Sequence, residues 1–380
     1  MHSHSGLMAF SELPLIEAAL MAIAQINQAG GVLGKRVEPV VEDGASEPAT
    51  FAAKASELIC GHGVATLFGC WTSAARKAVL PVVEAHNVLL WYPVQYEGLE
   101  ASKNIFYTGA CANQQVEPAL DWLLHQGKQR LYLLGSEYVF PYTANRIVKA
   151  QWKHRGGDIA GEAYLPLEAT DFSQAIATIQ QAKPDAVFST LNGECNLHFY
   201  QQYQAAGITP EQMPVMAVSV AETELQHIGA AAAGHYASWS YFQSLDTPGN
   251  REFVRQFRDR YGADRVTSDP VEAAYTQVFL WKQAVELAQS FESDRVRLGA
   301  IGQSFQAPGG VVRMEPNHHV WKNNYIGRIL PNGQFEVVSA SEQPIKPMPW
   351  LGWKRPNFRG SEMSLTSWQR CPTGSSVPTP

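Results

Sequence analysis

The stretch GCWTSAARKAVLPVVEAHNVLLWYPVQYEGLE, from Gly69 to Glu100, decides how this chain folds. It follows an apolar segment, continues with apolar residues at helical spacing, and ends in the apolar segment NVLLWYP and a polar loop. Thr72 or Ser73 supplies a hydroxyl that caps the helix. The pattern predicts two strands of a parallel sheet with a helix between them. Ligands of such sheets bind where strands end and helices begin, so we expect a small polar ligand here.

Strand and helix patterns alternate along most of the remaining chain, which is typical of doubly wound parallel sheets. They begin with an amphipathic helix over 11–28 and a strand over 37–43. A second series starts at RLYLLGSEY, so the pattern predicts two αβ lobes. The chain is expected to cross between the lobes about three times, near Cys111, His235 and Gly310, and to form a ligand cleft between them.

The strand count also sets the expected boundaries. The predicted parts are lobe I at 1–112 and 238–312, lobe II at 113–237 and 313–349, and a loosely structured tail at 350–380. The segment YIGRILPNGQFEVV predicts two strands joined by a tight turn. No strand precedes the first helix, which would leave unpaired edges on neighbouring strands. We therefore expect residues upstream of Met1 in the native protein.

The composition excludes several classes of protein. With 380 residues, of which 45% are hydrophobic, the chain has enough apolar side chains for two packed cores. A net charge of −6 and the lack of a Lys/Arg cluster argue against nucleic acid or an anionic membrane as partner. No apolar run approaches the ~20 residues of a membrane span, and no signal-peptide pattern is present, so direct membrane insertion is not expected. The five cysteines lack the spacing of a disulfide framework or zinc site. No metal or cofactor is expected.

Several segments resemble one known family. WYPVQYEGLE, LGSEYVFPYTAN, SDPVEAAYTQVFLWKQAVE and APGGVVRMEPNHHVWK are similar to the urea-binding protein of urea ABC transporters, a type I periplasmic binding protein. The resemblance extends to about Trp350. It implies an α/β fold of two doubly wound αβ lobes, urea or a short-chain amide in the cleft, and ABC permease membrane subunits as partners. It also implies a role in nitrogen uptake and a periplasmic location, although the sequence shows no signal peptide.

The resemblance also implies which residues contact the ligand. Ser73 corresponds to a serine that hydrogen-bonds the amide group, and Tyr138 to a tyrosine that reaches the ligand from the second lobe. Trp71, Tyr92 and Phe140 match the aromatic walls of the family's site. Phe140 is tyrosine in the related cytoplasmic amide sensors, so the polar contacts differ between the two groups.

Physical reasoning adds further candidates. Urea has one carbonyl acceptor and two amino groups, so a selective site needs donors at one end and acceptors around the rim. The helix start at Thr72 and the Ser73 hydroxyl suit the carbonyl, whereas the Gln95 amide oxygen and the Glu222 carboxylate suit the amino groups. Val94 and Gln95 stand where the amide sensors have threonine and proline, which favours urea.

Each candidate also has a purely structural interpretation. Aromatic residues at strand ends are consistent with a hydrophobic core, and Ser73 with a helix cap alone. Tyr138 and Phe140 have the period-2 spacing of a strand, so they face the same side, toward either cleft or core. Glu222 is also typical of a solvated helix start. The sequence leaves these alternatives open.

Two other functions were weighed against transport. A nitrilase-like amidase needs Cys, Glu and Lys, and Cys70, Cys195 with Glu194, and Lys77 supply these types, but their spacing defines no triad. The histidine pairs lack distant metal ligands at a recognisable spacing, and no phosphate-binding loop of an ATPase is present. The second alternative is a cytoplasmic short-chain amide sensor that regulates expression through a protein partner. The absent signal segment favours the sensor, and the Val94–Gln95 pair argues against it.

Overall fold

The computed structural model describes residues 1–350, so nearly all of the predicted tail at 350–380 lies outside the described residues. The helices are α1 (Ala9–Gln28), α2 (Pro48–Ser56), α3 (Ser73–His86), α4 (Ala112–His125), α5 (Val139–His154), α6 (Ser173–Ala182), α7 (Cys195–Ala205), α8 (Glu222–Ile228), α9 (Pro248–Tyr261), α10 (Asp269–Ala288) and α11 (Ser293–Ala300). The strands are β1 (Leu67–Phe68), β2 (Leu90–Tyr92), β3 (Ile105–Tyr107), β4 (Arg130–Ser136), β5 (Asp158–Leu165), β6 (Ala186–Thr190), β7 (Val215–Ala217), β8 (Tyr236–Trp239), β9 (Ser304–Ala307), β10 (Gly310–Met314), β11 (Val320–Trp321), β12 (Tyr325–Ile329) and β13 (Phe335–Ala340).

The strands of the described residues form three sheets. β1, β2 and β3 make a parallel sheet, and a seven-stranded sheet has the order β13-β12-β8-β7-β6-β4-β5. Within the larger sheet β4 to β8 pair in parallel, whereas β12 and β13 form the predicted antiparallel hairpin. β9, β10 and β11 form a small antiparallel sheet. The predicted α/β class, with helices between parallel strands, is confirmed.

Helices cover both faces of the seven-stranded sheet. Leu131 and Leu133 of β4 belong to one hydrophobic core, and Tyr132 and Leu134 to another. Successive side chains of a strand point to opposite faces, so β4 has a core on each side. This is why the segment is apolar at consecutive positions rather than at alternate ones.

The first sheet is extended by the start of the chain. The strand predicted over 37–43 is wrong, because this segment makes one isolated bridge with His2 and no strand. The Met1 amino group donates to the Phe68 carbonyl (2.8 Å), and the Met1 carbonyl accepts from the Cys70 amide (3.1 Å). The edge of β1 is therefore hydrogen-bonded, contrary to the expectation of an unpaired edge.

The small sheet packs on the first sheet. Val312, Met314 and Val320 share a core with Trp91 and Phe106 of β2 and β3. β8 lies in the seven-stranded sheet, so the chain returns toward the first sheet after this strand. The division into lobes at particular residues stays a prediction.

α1 is the one helix in the described part of the chain that is long and apolar enough to cross a membrane, by length and composition. This differs from the expectation that no apolar run approaches the length of a membrane span. In the structure α1 packs along α10, and Leu15, Ala18, Met21 and Ala22 are buried. α1 is therefore a core helix in this structure.

Candidate functional site

The N-terminus of α3 forms the centre of the candidate site. Thr72 is the N-cap, and its Oγ1 accepts a hydrogen bond from the Ala75 amide (3.1 Å). Ser73 is the first helical residue, so its hydroxyl is free for other contacts. The amides of Ser73 and Ala74 have no intrahelical partner, as in the first turn of any α-helix. These N–H groups suit a carbonyl or an anion.

The Ser73 hydroxyl lies in a buried ionic network. Its Oγ donates to Glu97 Oε2 (2.6 Å) and accepts from Arg76 Nη1 (3.0 Å). Arg76 also donates from Nη2 to Glu97 Oε1 (3.2 Å) and from Nε to Glu100 Oε1 (2.8 Å). Sequence reasoning missed Arg76 and left Glu97 out of the site. The available signal was the i, i+3 spacing of Ser73 and Arg76, which places both on one face of α3.

The network is electrically balanced. Lys77 Nζ pairs with Glu100 Oε2 (2.9 Å), and the Tyr107 hydroxyl donates to Glu100 Oε1 (2.9 Å). Burial tends to raise the pKa of Glu100, but Arg76 and Lys77 outweigh burial and lower the pKa to about 2. The formal charges of Arg76, Lys77, Glu97 and Glu100 sum to zero. No net charge is therefore available in this network to attract an ion.

Two of the predicted aromatic residues lie directly beside this network. The Tyr92 hydroxyl donates to the Trp71 carbonyl (2.7 Å), and the Arg76 guanidinium lies 4.9 Å from the centre of the Tyr92 ring. Both aromatic side chains belong to the hydrophobic core of the first sheet. The Trp71 indole Nε1 is buried and has no hydrogen-bond partner among residues 1–350. A buried donor without a partner is costly, so this atom suits a ligand acceptor.

Gln95 connects the loop after β2 with the loop after β7. Its Nε2 donates to the Val218 carbonyl (3.1 Å) and lies 3.5 Å from Ser219 Oγ. Its Oε1 is buried without a partner among the described residues. Val94 packs in the core, and its carbonyl oxygen lies 2.1 Å from the position that a Cβ on Gly109 would take. Glycine at 109 thus permits the close approach that fixes the Gln95 loop.

Tyr138 and Phe140 are placed differently from each other. α5 begins at Val139, so the strand-like alternation predicted for the two residues is wrong. Phe140 belongs to the core between the seven-stranded sheet and α5, whereas Tyr138 is the extended residue before the helix and lies partly buried against the same core, with the two ring centres 6.3 Å apart. Burial raises the pKa of Tyr138, and the nearby Tyr92 and Glu97 raise this pKa further. α3 packs against α5, the helix that Tyr138 precedes.

Glu222 is the first residue of α8 and is fully buried, so the solvated alternative is wrong. Its Oε1 accepts from the Gln243 amide (2.6 Å), and its Oε2 has no partner among the described residues. Burial raises the pKa of Glu222 to about 8. At neutral pH the carboxyl is largely protonated, so it offers a donor as well as an acceptor.

The loops at the strand ends of the parallel three-stranded sheet and of the seven-stranded sheet are in contact through Gln95. Besides the Gln95 contact, Ser11 Oγ of α1 donates to Glu224 Oε1 of α8 (2.7 Å). The rings of Phe10 and His227 meet edge to face at 5.1 Å next to this hydrogen bond. α1 and α8, which are distant in sequence, are therefore held together by a hydrogen bond and a ring contact.

The residues considered for an amidase do not form a catalytic triad. Burial raises the pKa of the Cys70 thiol to about 12 and that of Cys195 to about 11. Both thiols are therefore protonated at neutral pH, and the thiolate is the nucleophile. Glu194 is exposed, and Lys77 already pairs with Glu100.

One group of side chains has the donor types of a metal site. Ligand atoms of Glu42, Glu57 and His62 lie within 4.8 Å of one another. Lys54 Nζ, however, is 2.9 Å from Glu42 and 2.8 Å from Glu57 and so already neutralises these carboxylates. This surface group is accounted for by its ion pairs.

Known proteins match this chain both in sequence and in structure. The periplasmic binding protein domain family matches residues 1–356. A Leu/Ile/Val-binding protein homolog 6 from Brucella melitensis biotype 1 is 25% identical over 291 residues, which are 75% of each chain. A limonene hydroxylase from Geobacillus stearothermophilus is 38% identical over 120 residues, and this alignment spans 32% of the present chain and 22% of that protein. The solved ABC transporter solute-binding protein of R. palustris in complex with 4-hydroxybenzoate has a TM-score of 0.84 at 22% identity, over 93% of this chain and 98% of that chain.

Proposed function

The chain belongs to the periplasmic binding protein family, with the type I α/β fold, and we propose that it is the substrate-binding component of an ABC transporter for urea or a short-chain amide. The ligand would lie between the loops that follow β1, β2 and β7 and the start of α5. We assign ligand contacts to Trp71, Thr72, Ser73, Tyr92, Val94, Gln95, Tyr138 and Glu222. Phe140 supports the site through packing.

The set of buried polar atoms without partners carries this proposal. Among the described residues Trp71 Nε1 is an unpaired donor, Gln95 Oε1 an unpaired acceptor, and Glu222 Oε2 an unpaired carboxyl oxygen. Each unpaired buried group costs roughly 1–3 kcal/mol. A small neutral ligand with both a carbonyl and amino groups has a partner for each of these kinds of atom. Urea presents one carbonyl and two amino groups.

Closure of the lobes gives the mechanism of delivery. The ligand first binds at the start of α3, and the second lobe then brings Tyr138 and the Val218–Ser219 loop against it. The ligand stabilises the closed form, because it binds this form better than the open one. The membrane permease subunits then recognise the closed form. A periplasmic location and a role in nitrogen uptake follow from this proposal.

Titration calorimetry tests the assignment. Ser73→Ala and Tyr138→Phe should each weaken urea binding by about 1–2 kcal/mol without unfolding the protein, because each removes one polar contact. Tyr142→Phe, on the exposed side of α5, is the matched control and should leave the affinity unchanged. Unchanged urea affinity in both site variants would refute these contacts.

The same titration separates the alternative functions. Tight urea binding with weak acetamide binding supports transport, and the reverse order supports a cytoplasmic amide sensor. Binding of leucine or 4-hydroxybenzoate in preference to both would place the chain with the relatives that take acids. Release of ammonia from urea or acetamide would instead support the amidase function.

A further inference from the structure

The proton of the Ser73 hydroxyl has one possible acceptor in its network. Arg76 has only N–H donors, so Ser73 Oγ accepts the bond from Arg76 Nη1 at 3.0 Å. The Glu97 carboxylate has only acceptors, so the hydroxyl proton points to Glu97 Oε2 at 2.6 Å. A hydroxyl oxygen has one proton and two lone pairs, so one lone pair is left for a further contact.

We propose that Glu97 and Arg76 are specificity-determining positioning residues, which hold Ser73 as a hydrogen-bond acceptor toward the ligand and thereby select N–H donors over carboxylates. This inference rests on the proposed function, because it assigns the ligand class of that same site. It also corrects the sequence-based expectation that the Ser73 hydroxyl serves the urea carbonyl. The Trp71 indole N–H and the first-turn amides of α3 instead donate hydrogen bonds to the ligand carbonyl.

The paired charges of the network also favour a neutral ligand over an anion. The Arg76 guanidinium is balanced by Glu97 and Glu100, and Lys77 is paired with Glu100 as well. An anionic ligand would meet a lone pair of Ser73 in a network whose positive charges, Arg76 and Lys77, are already paired with carboxylates. A neutral amide meets the same lone pair with an N–H group.

Glu97→Gln reverses the polarity of Ser73 with little change of shape. Arg76 Nη2 donates to the side-chain atom at the Oε1 position, so the glutamine places its oxygen there and its NH₂ group toward Ser73. Ser73 Oγ then accepts from both Arg76 and Gln, and its proton must turn to the ligand. The variant is therefore expected to weaken urea binding and to strengthen acetate binding.

The experiment measures the ratio of acetate to urea affinity by titration calorimetry at pH 7. We expect Glu97→Gln to shift this ratio at least tenfold toward acetate. Glu100→Gln is the matched control, because it removes the same charge from the same network without touching Ser73, and it should shift the ratio clearly less than Glu97→Gln does. In the double variant Glu97→Gln with Ser73→Ala the shift should vanish.

The outcomes separate the inference from the function on which it rests. If the unaltered protein binds urea but Glu97→Gln leaves the ratio unchanged, or Glu100→Gln shifts it equally, or the shift persists without the Ser73 hydroxyl, the inference is overturned while the proposed function stands. If the unaltered protein binds neither urea nor acetamide, both are overturned. A measurement that needs no variant compares acetamide with acetate, which has nearly the same shape. Acetamide should bind at least tenfold tighter, and tighter binding of acetate would overturn the inference.

Discussion

Replacing Arg76 by leucine tests how much the buried ionic network contributes to the stability of the folded protein. The guanidinium is fully buried and donates to Ser73, Glu97 and Glu100. Without the guanidinium, Glu97 still accepts a hydrogen bond from the Ser73 hydroxyl, and Glu100 still accepts hydrogen bonds from Lys77 and Tyr107. Breaking a buried ion pair by removing one partner costs about 3–5 kcal/mol, and the remaining donors place this case toward the lower limit. We expect Arg76→Leu to lower the free energy of unfolding by about 3 kcal/mol.

Guanidinium chloride denaturation at pH 7 is the suitable assay, since urea is the proposed ligand. Arg255→Leu is the matched control: Arg255 also pairs with two carboxylates, those of Glu252 and Asp259, but at an exposed position of α9. Solvent screens exposed ion pairs, so the control should unfold at nearly the same denaturant concentration as the unaltered protein. Equal midpoints for Arg76→Leu and Arg255→Leu would refute the reasoning, because the buried network would then contribute no more than a surface pair.

Two further predictions concern acid stability and backbone packing. The folded-state pKa of Glu100 is about 2, below its ordinary value of 4.5, so Glu100 contributes about 3 kcal/mol that is present above pH 4.5 and lost as the pH falls toward 2. Thermal unfolding between pH 5 and pH 2 should show a weaker pH dependence in Glu100→Gln; an identical acid slope would contradict the lowered pKa. Gly109→Ala should lower both the melting temperature and the urea affinity, because the new Cβ would lie 2.1 Å from the Val94 carbonyl. Gly249→Ala, where a Cβ meets nothing within 4 Å, is its control, and equal effects of both substitutions would contradict the packing argument.

The fold could be predicted because its signals are local. Consecutive apolar residues such as those of β4 indicate a strand buried on both faces, and apolar residues at helical spacing after Thr72 indicate α3. The proposed region of the site stays a prediction, and it rests on the general rule that ligands bind at strand ends and helix starts of such a sheet. The segment 37–43 shows the limit, because its β-favouring residues are not paired in a sheet.

The individual site residues were predicted less well, because their roles depend on partners distant in sequence. The family resemblance implies that Phe140 lines the ligand site and its spacing to Tyr138 leaves cleft or core open, yet α5 begins between the two residues and the Phe140 ring lies in a core. Glu222 begins a helix, as predicted, but the packing around α8 buries it and raises its pKa to about 8. No local sequence pattern indicates that the Glu222 side chain is buried.

The sequence by itself determined the α/β series of strands and helices and the helix start at α3, because periodicity and helix capping act within a few residues. The tertiary structure alone decided the hydrogen-bonding role of Ser73. Glu97 lies 24 residues from Ser73 in the chain, yet folding places their oxygens 2.6 Å apart and so fixes where the hydroxyl proton points. The orientation of one proton depends on such long-range contacts, since the hydroxyl rotates freely until a donor and an acceptor surround it.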